Sequence, residues 1–176
     1  MKMPDAPLKQ VSNDIVRIEL AEPALAGGWE VASRTAELTA RLLARPNDSR
    51  GVSDSIAFMA NEVIENAVKF RARNAGAVSI TAWKDGGLLH FDVQNMASSS
   101  SANALAQLRD DLGNRDAGEL LIERIEANAA SNRDEGSGLG VLTLMSDYGA
   151  TITWEIGAPS KGEAMLVTTR VSLPIE

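Results

Sequence analysis

Apolar and polar positions change period several times along the chain, and each change predicts an element. Ile15, Val16 and Ile18 interleave with charged residues up to Pro23, which predicts a short strand following a flexible N-terminal tail over 1–12. Helical spacing then takes over in 28–45, where Val31, Thr35, Leu38 and Leu42 share a stripe that Pro46 closes. After the turn formers of 46–51, Ser53 is placed to cap a second helix over 54–73. Its stripe Ile56, Met59, Val63, Ala67 and Phe70 is the most regular in the sequence.

Alternation returns in 77–83 and 88–95, and Asp85-Gly86 between them signals a hairpin. The stretch 96–136 is polar and alanine-rich, with a serine run and two helical patches; it reads as a lid over 97–137 or as an ordinary surface helix pair, and pattern alone does not choose. A glycine loop and a helix come next. Two further strands, 150–156 and 163–173, end the pattern. Strands that arrive as hairpins, with helices in a group, predict an α+β fold: a two-layer sandwich with a mixed, mostly antiparallel sheet covered on one face by helices.

Composition narrows the function. The 176 residues, 44% of them hydrophobic, suit one domain, taken as 13–176. A net charge of -7 argues against nucleic acid and against anionic membrane surfaces. With no cysteine there are no disulfides, thiolate metal sites or cysteine nucleophiles. No apolar run approaches the ~20 residues that span a bilayer, so the expectation is a soluble, cytoplasmic protein.

Two features carry candidate chemistry. Gly136, Gly138 and Gly140 lack Cβ atoms just where a helix begins, so an anion can reach the unpaired N–H groups at its N-terminus, although turns and tight packing use glycine in the same way. On the second helix, Glu62, Asn66, Lys69 and Arg73 form one polar line opposite the apolar stripe. A carboxylate can take a proton, an amide oxygen can hold Mg²⁺, and a lysine can reach phosphate oxygens. The competing reading of that line is a solvated helix face. His90, the single histidine, has no metal-spaced companions and reads as a solvated strand residue. Trp29 is open to two readings, a dimer contact on the first helix or core burial, whereas Trp83 and Trp154 read as packing residues.

Taken together, residues 61–70 resemble the N box, and 136–154 the second glycine box, of the GHKL (histidine-kinase-like) ATPase superfamily. The resemblance covers about residues 53–156. It implies a histidine-kinase-like ATPase fold that binds ATP and Mg²⁺, with Asn66 holding the metal and Glu62 as the general-base candidate. Lys69 and Arg73 would lie near the phosphates. Gly136, Ser137, Gly138, Leu139, Gly140 and Thr143 would form the lid hinge and phosphate cradle.

One motif departs from the family. The usual Asp-x-Gly-x-Gly box is missing after the second hairpin strand, and alignment on Val93 puts Asn95 at the aspartate position and Ala97 at the first glycine. An asparagine still presents a carbonyl oxygen to the adenine amine, without the charge. No phosphoacceptor histidine helix is seen upstream and the chain is short for transducer domains. The sequence is therefore similar to free-standing regulatory kinases of the SiaB and anti-sigma-factor types, and Asn95 favours the SiaB-like side. These types imply a serine/threonine protein kinase acting on a partner protein in a bacterial partner-switching pathway, with a homodimer as a further possibility. The alternative is a catalytically inactive module of the same shape that works by docking or sequestration.

Overall fold

The structure, a computed structural model, describes residues 15–73, 75–131, 139–159 and 164–175. The expected tail over 1–12 and the positions Gly136, Ser137 and Gly138 lie outside the described residues.

Strand β1 (Val16–Leu20) is followed by helices α1 (Glu22–Leu25), α2 (Trp29–Leu43) and α3 (Arg50–Lys69). The hairpin β2 (Val78–Asp85) and β3 (Leu88–Ala97) comes next, then α4 (Ser99–Leu112), α5 (Ala117–Ser131) and α6 (Leu139–Ser146). Strands β4 (Thr151–Pro159) and β5 (Met165–Pro174) end the order. The five strands make one sheet in the order β1-β2-β3-β5-β4.

Every described strand pair is antiparallel, so the sheet is not mixed as expected. The reason lies in one connection. The crossover from β3 to β4 makes those two strands run in the same direction, but β5 folds back between them and pairs with both. No parallel neighbours result.

Among the described residues, helices pack on one face of the sheet. Val78, Ile80 and Ala82 of β2 and Leu89, Phe91, Val93 of β3 are buried on it, together with Ile56, Met59, Val63 and Ile64 of α3. This is the period-2 pattern of a half-buried sheet meeting the period-3.6 stripe of a helix. On the other face Trp83 stacks on His90 with ring centroids 5.0 Å apart, and His90 Nδ1 hydrogen-bonds Ser172 Oγ at 2.9 Å. The histidine is thus a half-buried strand residue. Among the described residues no cluster of three or more His, Cys, Asp or Glu side chains could hold a metal.

Three local details differ from the expectation. Pro23 does not end β1; it sits in the first turn of α1, where its fixed φ suits a helix start, and Arg71 ties that turn down through Glu22 Oε1 (2.9 Å) and the Leu25 carbonyl (3.2 Å). Helix α3 begins before Ser53: Ser49 is its cap, accepting from the Val52 N–H at 3.2 Å. Val52 is buried one turn before Ile56 and extends the same stripe backward, which draws the start of the helix with it. The serine run at 98–101 is likewise a cap, with Ser98 accepting from the Ser101 N–H. The hairpin turn is the two-residue Gly86-Gly87 with φ of 55° and 80°, the left-handed conformation that turn demands.

The segment after β3 is a helix pair. Helix α4 lies over β4 and β5 with Ala102 and Leu108 buried, and α5 runs alongside α6. Trp29 is 69% exposed, and Leu38 and Leu42 of α2 are also exposed. None of the described helices is long and apolar enough to cross a membrane.

Candidate functional site

A cavity of about 340 Å³ opens between the helical layer and the β3-β5-β4 half of the sheet. Such a volume lies within the range of small-molecule sites. Its floor is Asn95 and Ala97 of β3, Val167, Thr169 and Val171 of β5, and Ile152 and Trp154 of β4. Helix α3 contributes Val63, Asn66 and Ala67, and Phe70 follows at its C-terminal end. Helix α4 contributes a wall from Ser100 to Leu108, α5 contributes Arg124, and α6 contributes Val141. The lining is mainly apolar with a few polar groups at separate places, the composition that orients a bound organic molecule.

Strand parity brings Asn95 here. It follows Leu89, Phe91 and Val93 on the inward face, lies opposite Val167 on β5, and is 5% exposed. Thr169, two residues further along β5, faces the same cavity. Among the described residues nothing hydrogen-bonds the Asn95 side-chain amide. Its polar atoms open on the cavity, where water or a bound group can meet them.

Glu62 lies one turn before Asn66 on α3 and touches α6. A Cβ built on Gly140 would fall 1.6 Å from Glu62 Oε2 and 2.2 Å from its Cδ, so only glycine permits this approach. The next residue, Val141, lines the cavity, as does Asn66. Glu62 itself is not a lining residue; its carboxyl meets α6 one residue before Val141, which is. Burial, first, and the neighbouring Glu65 charge, second, raise its pKa above the usual glutamate value, against lowering by the Asn61 side chain and Lys69. A raised pKa makes it a better proton acceptor when ionised.

The remaining sequence-derived candidates are placed less centrally. Lys69 is exposed, with Nζ 5.3 Å from the centroid of the Phe70 ring, and Arg73 is exposed; neither lines the cavity. Leu139 and Thr143 are half-buried on α6 and are also outside the lining. Gly136, Ser137 and Gly138 fall outside the described residues.

Four polar lining residues, Ser100, Ser101, Arg124 and Thr169, escaped the sequence reading. Arg124 is the single basic residue of α5, half-buried, with no ion pair or hydrogen bond among the described residues. A lone cation among Glu119, Glu123 and Glu126 was its only signal. Thr169 was marked by its parity with Val167 and Val171. Trp154, 7% exposed, is both a packing residue and part of the cavity floor.

The chain matches no protein-family model and no curated protein.

Proposed function

We propose that the chain is an ATP-binding regulatory protein of the histidine-kinase-like ATPase type, a serine/threonine kinase whose substrate is a partner protein. One observation supports the reading: Glu62 of α3 and Gly140 of α6, distant in sequence, are in contact, and their neighbours Asn66 and Val141 line one cavity whose floor presents the Asn95 amide. The five-stranded sheet with helices on one face is compatible with that class and supports it.

The donor set fits a magnesium nucleotide. A purine suits the apolar floor and the Asn95 amide. Mg²⁺ commonly keeps several waters and takes one or two protein oxygens besides phosphate oxygens, so the Asn66 carbonyl suffices without a carboxylate cluster. Bound there, the cation would neutralise phosphate charge. Among the described residues Arg124 is the cation that lines the cavity, and the first N–H groups of α6 offer further donors.

In transfer, a serine or threonine hydroxyl of the partner attacks the γ-phosphorus, the bond to the β–γ bridging oxygen breaks, and ADP leaves. Glu62 takes the hydroxyl proton, or orients the hydroxyl that gives it up. The exposed Trp29, Leu38 and Leu42 of α2 offer apolar surface for a partner protein or a second copy.

Calorimetric titration of the protein with ATP and Mg²⁺ tests the reading, wild type against Asn66→Ala. Binding heat in the wild type that is lost or sharply reduced in the variant is expected. Equal, negligible heat from both overturns it.

A second reading is favoured by Asn95 standing where the family carries an aspartate: a module of the same shape that docks partners without catalysis. Under it Glu62→Gln leaves the cellular phenotype intact, whereas the kinase reading requires that variant to lose phosphate transfer.

A further inference from the structure

Building on the nucleotide-binding reading above, we infer that the cavity accepts 6-oxopurine as well as 6-aminopurine nucleoside triphosphates, with Asn95 pairing to either by turning its amide over.

Asn95 is 5% exposed, faces the cavity, and has no hydrogen-bond partner for its amide among the described residues. A carboxylate at this position would only accept hydrogen bonds. It would suit an exocyclic amine and repel the lone pairs of an oxo group. An asparagine carries one accepting and one donating arm, and half a rotation about its terminal bond exchanges them. The two purine types present opposite patterns: a donor at C6 and an acceptor at N1 in adenine, an acceptor at C6 and a donor at N1 in hypoxanthine or guanine. Asn95 is complementary to both.

The surroundings do not lock either orientation. Directly opposite Asn95 on β5 is Val167, which is apolar. Thr169, the nearby polar group of the floor, has a hydroxyl that both donates and accepts. The hydroxyls of Ser100 and Ser101 on the α4 wall are already bonded to Ser98 Oγ.

The test is competition of ATP, ITP and GTP against a fluorescent ATP analogue in the presence of Mg²⁺, on the full chain and on Asn95→Asp. ITP differs from ATP only at C6 and N1, and GTP adds the C2 amine. ITP is expected within about tenfold of ATP on the wild type, and Asn95→Asp is expected to weaken ITP by at least about tenfold relative to ATP. A wild type that binds ATP but holds ITP more than about tenfold weaker overturns the inference and leaves the ATP reading standing. Unchanged ITP selectivity in a folded Asn95→Asp overturns it too. Failure of every nucleotide to bind the wild type removes the ATP reading, and the inference with it. Should Asn95→Asp not fold, Asn95→Ala replaces it: ATP and ITP then weaken by the same factor, and a loss confined to ATP counts against the inference.

Discussion

Gly140 and Glu62 occupy the same space: the position a Cβ of residue 140 would take lies 1.6 Å from the Glu62 carboxylate oxygen. The nearest atoms are the far end of a flexible side chain, so Gly140→Ala can be accommodated if the carboxylate swings aside. Alanine also gains up to ~1 kcal/mol over glycine in a helix, which offsets the disturbance. The expected result is a melting temperature close to wild type and, under the proposed kinase reading, phosphate transfer reduced at least about tenfold, since in that reading Glu62 is a reacting group and a small misplacement of one is costly to rate. In a Glu62→Ala background the same glycine substitution should be neutral or stabilising, because the obstructing atoms are gone. Normal transfer by a folded Gly140→Ala protein would show that the contact has no functional role.

The raised Glu62 pKa makes a second prediction through linkage. A carboxyl that holds its proton more tightly in the folded state loses stability as pH rises from the unfolded value, about 4.3, through the folded one. Above the folded value the ionised group is a standing cost, set first by burial and then by Glu65. Glu62→Gln removes the charge and keeps the shape. It should melt higher than wild type at neutral pH, and the difference should vanish below about pH 4. A gain that is the same at both pH values would mean that the carboxylate is not destabilised.

Arg124 and Lys69 separate what the sequence suggested from what the fold places at the site. Arg124 lines the cavity, whereas Lys69 is exposed and lies near the Phe70 ring. Under the proposed nucleotide reading, Arg124→Ala removes a charge-assisted contact to phosphate and should weaken nucleotide binding about tenfold or more. Lys69→Ala should change it by less than about threefold, because an exposed charge is screened. Titrating both variants with ATP and Mg²⁺ decides the matter; the opposite ranking would return the phosphate contact to Lys69.

What could be read from the sequence follows from which interactions are local. The α3 stripe and the β2–β3 hairpin were legible because their periods are strong, and the alternation that turned Asn95 inward was visible in 88–95. The cap differs, Ser49 and not Ser53, because the stripe does not start at Ile56: Val52, one turn earlier, belongs to it. Arg124 could not be found, since its approach to the cavity depends on α5 packing along α6, a contact with no local signature. The meeting of Gly140 with Glu62 was anticipated only through the family resemblance. Lys84 lies outside the alternating run 77–83, yet its parity with Ala82 and Ile80 points it inward.

That buried lysine supplies the last prediction. Lys84 is 8% exposed on the helix-facing side of β2, and its ammonium is paired with Asp48 in the loop before α3, so the pair fixes where that helix begins. Asp48 Oδ2 also accepts from the Arg45 N–H at 2.8 Å. Burial by itself would raise the Asp48 pKa, but the Lys84 and Arg45 hydrogen bonds outweigh it and hold the carboxyl below its ordinary value. A depressed folded value means stability that is fully present above the unfolded pKa, about 3.9, and lost as pH falls through the folded one. Lys84→Met strands the carboxylate and should cost about 3 kcal/mol at pH 7, the lower end for a broken buried pair because Asp48 keeps some exposure. Below the folded pKa the pair is already undone in the wild type, so the cost of the substitution should shrink. Urea midpoints at pH 7 and at about pH 3 measure both limbs, and a penalty undiminished in acid would mean that Lys84 stabilises the fold by packing its stem and not by pairing with Asp48.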